Sequence, residues 1–417
     1  MNVYIGLDFG TSGARLMAID DACLLVSEVQ VAFPDIADWT LIWPEALNTL
    51  LTQVPRSLRQ QVRRIAINGT SSTVLLCEED GGPVVAPLLY NDARGVTALD
   101  AVAAIAPPEH GVCSATSSLT KLLWWRQQGC TRYAHKLLHQ ADWLGFLLHG
   151  KMGITDYHNA LKLGYDVAQL QYPDWLMALD CAALLPDVVP PGTPVGKVTP
   201  GICDRFDLPA DCIVCAGTTD SIAAFIASGV TQPGEAVTSL GSTLVLKLLS
   251  DTPVNEGSTG VYSHRYGDLW LAGGASNTGG AVLKQFFTVA EIETLSQGID
   301  PSQSSGLDYY PLPQPGERFP LNNPNLAPRL TPRPPNSQDF LQGLLEGMAR
   351  IEAQGYQRLV ALGATPIQAV YTAGGGAKNE TWMQIRQRIL QRPVLPSSQT
   401  EAALGTALLA QRQGLTG

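Results

Sequence analysis

No stretch of this chain approaches the ~18–20 consecutive apolar residues of a membrane-spanning helix, although 45% of its 417 residues are hydrophobic. Positive charge is also in short supply. Lys and Arg number 27 against 37 Asp and Glu, a net charge of −10, which argues against nucleic acid or an anionic membrane as partner. A phosphate site in such a chain must rest on backbone dipoles or a metal ion rather than on a basic surface. Cysteines number only 8 and are scattered. Cys212-Ile-Val-Cys215 has zinc or redox spacing, but no second pair and no neighbouring His completes a site. Its apolar surroundings read as a buried strand. The Gly-Lys-Ser/Thr ending of a Walker loop and the dinucleotide fingerprint are both missing. Asp8 interrupts the first apolar run too early for a signal peptide, so a cytoplasmic location is expected. The length suits about two or three domains with large cores.

What is present begins at residue 3. Val3–Leu7 and Leu16–Ile19 are apolar runs flanking Gly10-Thr11-Ser12-Gly13, the pattern of a β-hairpin. The loop offers backbone N–H groups, two hydroxyls and glycines that let a ligand come close, which is what a phosphate needs. Asp8 closes the first strand on the same side. A carboxylate beside a phosphate cradle repels it unless a cation lies between, so Asp8 is read as a Mg²⁺ partner, through water. An ordinary polar turn is the alternative. The pattern recurs at Ala236–Leu249, where Leu240-Gly241-Ser242-Thr243 links two further apolar runs. Such repetition suggests two similarly folded halves facing each other, with a nucleotide between their loops.

Other segments supply candidate elements. Pro44–Leu51 reads as a helix with Pro44 in its first turn. Arg64–Cys77 reads as strand, hydroxyl-rich loop, strand. Ser117–Trp125 and Ala141–His149 read as helices, the second stopped by Gly150. His158 has no dyad partner in sequence and is read as a packed or solvated histidine. Ile213–Ala216 runs into Gly217-Thr218-Thr219-Asp220 and then an apolar helix, so Asp220 sits at a helix start, where an ionised carboxylate is favoured. On these residues alone a simple cap is the better explanation. Residues 311–335 are a Pro-rich long loop or lid. Asn336 caps a helix with Leu341, Leu344, Leu345, Met348 and Ile351 on one face. Ala369–Asn379 is a strand entering Gly374-Gly375-Gly376-Ala377-Lys378-Asn379, followed by a helix over 380–390. Its glycines let a flat purine and ribose lie against the backbone, and Asn379 can bond polar edges. Thr400–Leu409 is a small-residue helix whose glycine permits close packing, expected against the nucleotide-binding half.

Asp8-Phe-Gly-Thr-Ser12, the second Gly-Ser-Thr loop and the glycine run at 374–379 together resemble the FGGY carbohydrate kinases, of the actin-like, sugar-kinase and heat-shock-chaperone ATPase superfamily. The resemblance covers residues 3 to about 410 and is specific as an ordered set. It implies an α/β fold of two actin-like (ribonuclease H-like) domains, with mixed sheets flanked by helices and the nucleotide in the interdomain cleft. The expected division is 1–230 for sugar binding and catalysis and 231–417 for the nucleotide.

The resemblance also assigns roles. Asp220 stands where the family has its catalytic aspartate. Asp8, Ser12, Gly13, Ala14, Arg15, Ser72, Asp92, Arg94 and Asp220 are the expected sugar contacts, although Tyr90 replaces the usual Trp before Asp92 and Arg94. A surface ion pair is the alternative for Asp92 and Arg94. Gly10, Thr11, Ser12, Gly241, Ser242, Thr243, Gly375, Gly376, Ala377 and Asn379 are the expected ATP contacts, and Thr11 joins Asp8 and Asp220 in catalysis. Hinge closure completes such a site. The cofactors implied are ATP and Mg²⁺, and the partner is a small sugar, with the chain a monomer or weak homodimer. Within the family the compact D-ribulose kinase and xylulose kinase-like subgroup is the nearest likeness. D-ribulose is therefore the first substrate expected and D-xylulose, or another polyol, the second. An ATP-binding regulatory protein on the same fold is the alternative of another class.

Overall fold

A computed structural model of the chain describes residues 1–35, 38–108 and 110–415. The chain folds as two compact units, Met1–Ala227 with Glu401–Gly417, and Ser228–Thr400.

In the first unit β1 (Val3–Phe9) and β2 (Gly13–Asp20) form the hairpin read from the sequence, and β3 (Leu25–Ala32) extends it as an antiparallel meander. β4 (Val62–Gly69) joins β1 in parallel from the other side. β5 (Val74–Cys77) pairs with β6 (Lys136–His139), and β7 (Ile154–Asp156) with β8 (Asp187–Val189), as two separate ribbons. β9 (Pro194–Lys197) and β10 (Ile213–Cys215) complete a main sheet of order β3-β2-β1-β4-β10-β9, and the short β11 (Thr218–Thr219) lies beside the end of β4. Val3, Ile5, Leu7 and Phe9 alternate along β1 and are wholly buried. They meet Trp43, Leu47, Leu50 and Leu51 in one core, so the strand is fixed by its period-two pattern.

Two expectations change here. The helix expected to start at Pro44 starts earlier, spanning Trp39–Gln53, because the Asp38 carboxylate caps it by accepting from Thr40 N at 3.0 Å. Pro44 therefore sits inside the helix and leaves the Thr40 carbonyl without its helical partner. The C-terminal helix, Ala402–Arg412, belongs with the first unit rather than with the nucleotide-binding half as expected. Glycines on both sides explain the choice. A Cβ at Gly405 would meet the Ala223 carbonyl oxygen at 1.8 Å, and one at Gly6 would meet the Ala403 carbonyl oxygen at 2.1 Å. Asn68 Nδ2 on β4 donates to Thr406 Oγ1 at 2.7 Å across the same contact.

The second unit repeats the plan. β12 (Glu235–Leu240) and β13 (Leu244–Ser250) form a hairpin, and β14 (Tyr262–Tyr266) and β15 (Leu269–Ser276) extend it antiparallel through β15. β16 (Ala369–Ala373) runs parallel to β12, and β17 (Val394–Pro396) parallel to β16. The order β15-β13-β12-β16-β17 thus matches β3-β2-β1-β4-β10 strand for strand. The helices Ser337–Ala361 and Glu380–Leu390 are tied to this sheet by a buried polar network. Arg386 donates to both Glu352 carboxylate oxygens, at 2.6 and 2.7 Å, and to Thr372 Oγ1 at 2.6 Å. Thr238 donates to Glu352 Oε1 at 2.5 Å. The Pro-rich segment is a packed strap rather than a lid, with Leu312 and Phe319 buried and Glu317 Oε2 accepting from Ser276 Oγ at 2.6 Å.

Among the described residues no helix is long and apolar enough to cross a membrane. All eight cysteines are free, and Cys212 and Cys215 are buried as the strand reading expected.

Candidate active site

Parallel strands β1, β4 and β11 end side by side, and their pairing sets Asp8 against Asn68 and Thr218 against Asn68. The next residue after β11 is Asp220, first in the helix Asp220–Ala227, whose backbone starts where the sequence placed it. Asp220 Oδ1 accepts from Ser221 N at 2.6 Å, as a carboxylate at a helix start does. Burial, and then the negative charge of Asp220, push the Asp8 carboxyl up to about 6, against the smaller pull of Arg15. The strand ends thus bring Asp220 close enough for its charge to act on Asp8.

The same strand ends carry buried polar atoms with no hydrogen-bond partner, namely Asp8 Oδ1, Asn68 Oδ1, Ser72 Oγ and Thr219 Oγ1. Orphaned buried oxygens are costly and call for a ligand or water. Ser72 has φ +66°, rare for a residue with a side chain. Its carbonyl accepts from Lys121 Nζ at 2.7 Å, and Leu89 O accepts from the same ammonium at 2.6 Å. Burial pulls Lys121 down to about 7, partly countered by Asp92. Neither Lys121 nor Lys162, on which Asp220 also acts, was singled out from the sequence. Each lies in an apolar run, Leu119–Trp125 or Ala160–Leu163, and a lone Lys in such a run was the available signal.

At the first hairpin tip Thr11 and Ser12 are exposed and open to a ligand. Gly10 N donates to Gly13 O at 3.0 Å, closing the turn. Gly13 is needed for packing, since a Cβ there would meet Val31 O at 2.5 Å. Ala14 turns into the core at 2% exposure, between Phe9 and Val31 on the neighbouring strands. Its side chain is thus not at the site. Arg15 is engaged by Glu401, with Gln30 Oε1 at 3.1 Å and Glu28 at 3.7 Å. Asp92 and Arg94 bind each other in a fork, with Arg94 Nη2 to Asp92 Oδ2 at 2.6 Å, and Arg94 lies over the Trp124 ring. Partial burial opposes the Asp92 charge, but hydrogen bonds from Arg94 hold its carboxyl below the usual carboxylate range.

His158 is packed, its Nδ1 2.7 Å from Thr218 Oγ1. Asp156 caps the following turn by accepting from His158 N at 2.8 Å, while burial pushes its carboxyl up to about 7.

In the second unit Leu240, Gly241, Ser242, Gly280, Gly375, Gly376, Asn379 and Trp382 line a cavity of about 670 Å³. Thr243 and Ala377 are not among its lining residues, although each adjoins one that is. Two of the three consecutive glycines have packing reasons. Gly374 has φ +82° and lies against the Leu240 carbonyl, and a Cβ at Gly376 would meet Leu240 and Trp382. A Cβ at Gly375 would meet nothing within 4 Å, so packing does not require a glycine there. Asn379 has no idle amide, since its Oδ1 accepts from Trp382 N at 2.9 Å and its Nδ2 donates to Ser296 Oγ at 2.8 Å. It shapes the wall and Ser296 presents the polar edge.

Residues 3–227 match the N-terminal domain of the FGGY family of carbohydrate kinases, and residues 236–413 the C-terminal domain. The xylulose kinase of Bacillus subtilis (strain 168) is 23% identical over 446 residues, covering 98% of this chain and 88% of that protein. The gluconokinase of the same organism is 21% identical, covering 97% and 86%. A crystal structure of a xylulose kinase from Brucella ovis superposes with a TM-score of 0.86 at 22% identity, over 99% of this chain and 91% of that one. With both of its domain models matched in order along nearly the whole length, the chain belongs to the FGGY family of carbohydrate kinases.

Proposed function

We propose that this carbohydrate kinase transfers the terminal phosphoryl group of ATP to a ketopentose, D-ribulose giving D-ribulose 5-phosphate. The strand ends that carry Asp8 and lead into Asp220, with buried oxygens of Asp8 and Thr219 left without a partner, support the mechanistic part of this reading. Phosphoryl transfer needs positioning and charge neutralisation more than covalent chemistry. Asp220, first residue of its helix, accepts the proton of the attacking hydroxyl. Thr11 and Ser12 donate to the phosphoryl group, and Gly10 and Gly13 set the turn that presents them.

Asp8 fits a magnesium ion. Mg²⁺ is held by one or two carboxylates plus phosphates and water rather than by an all-protein cage, and Asp8 offers a buried, unpartnered oxygen. Among the described residues no cluster of three acidic, His or Cys side chains forms such a cage. When bound, the ion neutralises charge on the phosphates. In the second unit, Gly375 and the 670 Å³ cavity suit the flat base and ribose of ATP. The Asp92–Arg94 fork lies on the sugar side as a rim that can open toward hydroxyls.

The choice of D-ribulose rests on the likeness to compact pentulose kinases. D-xylulose is the second reading, favoured by the xylulose kinases among the relatives. ADP release measured with D-ribulose, D-xylulose, D-gluconate, glycerol and no acceptor decides between them. D-ribulose is expected to give the highest kcat/KM, and Asp220→Ala to lose on the order of 10²–10⁴ in kcat. A higher kcat/KM for D-xylulose rejects the substrate choice, and turnover independent of any acceptor rejects the sugar-kinase chemistry altogether.

A further inference from the structure

Lys121 lies in the helix Ser118–Gln127 and is 0% exposed. Its ammonium donates to backbone carbonyls of two different loops, Ser72 O at 2.7 Å and Leu89 O at 2.6 Å. Taking an ammonium out of water costs free energy, and an apolar side chain of similar volume would fill the same space. Core packing alone therefore gives no reason for a charge here.

The two carbonyls belong to turns that leave one short bridge, where Val74 and Leu88 exchange both backbone hydrogen bonds at 3.0 Å. Ahead of Val74, Thr73 N donates to Thr70 O at 3.2 Å and closes the turn Thr70–Thr73 just beyond β4. Ser72 takes the third position of that turn with φ +66°, where glycine or asparagine is usual. Its hydroxyl oxygen is buried and has no hydrogen-bond partner among the described residues. A costly backbone conformation thus holds a polar group that the protein itself leaves unused. Beyond Leu88, Asp92 N donates to Leu89 O at 3.0 Å, so the carbonyl held by Lys121 also closes the turn Leu89–Asp92. Arg94, in the fork with Asp92, lies over the ring of Trp124, three residues along the same helix. Residues three apart share a helix face, so one face braces both turns.

We propose that Lys121 is a positioning residue for the acceptor sugar, fixing the Ser72 turn against the Asp92 turn through their two carbonyls. With both carbonyls on one ammonium, the Ser72 hydroxyl and the Asp92 carboxylate are presented at a set separation to two oxygens of one sugar. Without the ammonium the turns are free to part and Ser72 can relax from φ +66°, so the sugar loses its contacts. The cavity bearing Gly375 lies in the other unit and is untouched by that change. This inference rests on the kinase function given above.

Lys136 on β6 supplies the control, because its ammonium also donates to two backbone carbonyls of this unit, Ala183 O at 3.0 Å and Leu185 O at 2.9 Å, away from the candidate sugar contacts. The test compares the full-length wild type with Lys121→Met, Ser72→Ala, the two combined, and Lys136→Met. Steady-state kinetics and equilibrium binding are measured with D-ribulose and D-xylulose. Lys121→Met is expected to raise KM and Kd for the sugar that the wild type prefers by about 10- to 100-fold, the effect of misplacing contacts by about an ångström. Its KM for ATP stays within about twofold, a split that general damage to the fold does not produce. The combined variant falls short of the product of the two single effects, because the lysine acts through Ser72. Lys136→Met keeps the sugar KM within about twofold whatever it loses in stability. If Lys121→Met does not fold, Lys121→Gln, which has an amide N–H donor but no charge, carries the same criteria. An unchanged sugar KM in the folded Lys121 variant overturns the inference, as does a parallel rise in the ATP KM. An equal rise in Lys136→Met, or effects at Lys121 and Ser72 that simply multiply, overturns it too. A wild-type chain without sugar-dependent turnover instead brings down the kinase function, and this inference with it.

Discussion

At Asp8 burial and the charge of Asp220 act in the same direction on one carboxyl, lifting it to about 6. The folded value lies above the ordinary unfolded one of about 3.9. Between those two values the native state binds more protons than the unfolded chain, so stability falls as pH rises through that window. At neutral pH the penalty is fully present. Asp8→Asn removes it, and should melt a few degrees above the wild type at pH 7.5, with a smaller gain at pH 5, while losing turnover. Thermal melts at both pH values, paired with ADP release, check this. A variant destabilised equally at both would show that Asp8 is not strained. Proximity alone does not make chemistry. Ser118 Oγ lies 3.3 Å from His139 Nε2, and His139 Nδ1 lies 3.0 Å from Asp142 Oδ2, the connectivity of a nucleophile relay. All of these side chains are buried, and Asp142 also accepts from His139 N at 2.9 Å to cap its helix. The arrangement is structural because no substrate can reach it.

At the scale of elements the reciprocal glycines Gly6 and Gly405 decide where the chain's last helix goes. A Cβ at Gly405 lands 1.8 Å from a backbone oxygen of the Asp220 helix, and backbone cannot step aside as a flexible side chain can. Gly405→Ala should therefore destabilise the first unit by about 3 kcal/mol or more, read from urea unfolding followed by Trp fluorescence. It should also depress kcat, since the helix it pushes carries Asp220. A Gly405→Ala chain as stable as wild type would mean that the helix is held elsewhere. The small-residue character of Thr400–Leu409 was legible as close packing, but its partner was not. A sequence shows that something must approach a glycine, but the helix that approaches Gly405 and the strand bearing Gly6 both lie far away along the chain. The two hairpins were legible because period-two alternation and glycine turns are local signals, and so was the cap at Asn336, whose Oδ1 accepts from Gln338 N at 2.9 Å. Pro44 misled because its preference for a first turn was outweighed by the Asp38 cap. The second unit's glycine run was only half legible, because Gly374 and Gly376 are explained by packing and Gly375 is not. Lys121 stayed hidden, since its meaning comes from the Ser72 and Leu89 carbonyls that folding brings to it.

For the whole molecule, one strand order is used twice, once in each unit. Each unit has its own apolar core, one built on β1 to β4 and the other on β12 to β16. The chain passes between them twice, after Ala227 and after Thr400. The residues proposed to act on the sugar, Asp8, Ser72 and Asp220, lie in the first unit, and the cavity bearing Gly375 lies wholly in the second. Multidomain chains depart from two-state unfolding when each core melts on its own terms. A ligand then stabilises the unit that binds it, by RT ln(1 + [L]/Kd), or about 2.7 kcal/mol at a hundredfold excess over Kd. Scanning calorimetry should accordingly resolve two transitions. A non-hydrolysable ATP analogue alone is expected to raise one of them, and D-ribulose alone the other. Gly375→Val should abolish the shift caused by the nucleotide and leave the shift caused by the sugar, because a branched side chain there occupies the space against which the base would lie. A single transition moved equally by both ligands, and equally lost in the Gly375 variant, would mean that the two cores unfold as one and that their duplication no longer divides the energetics.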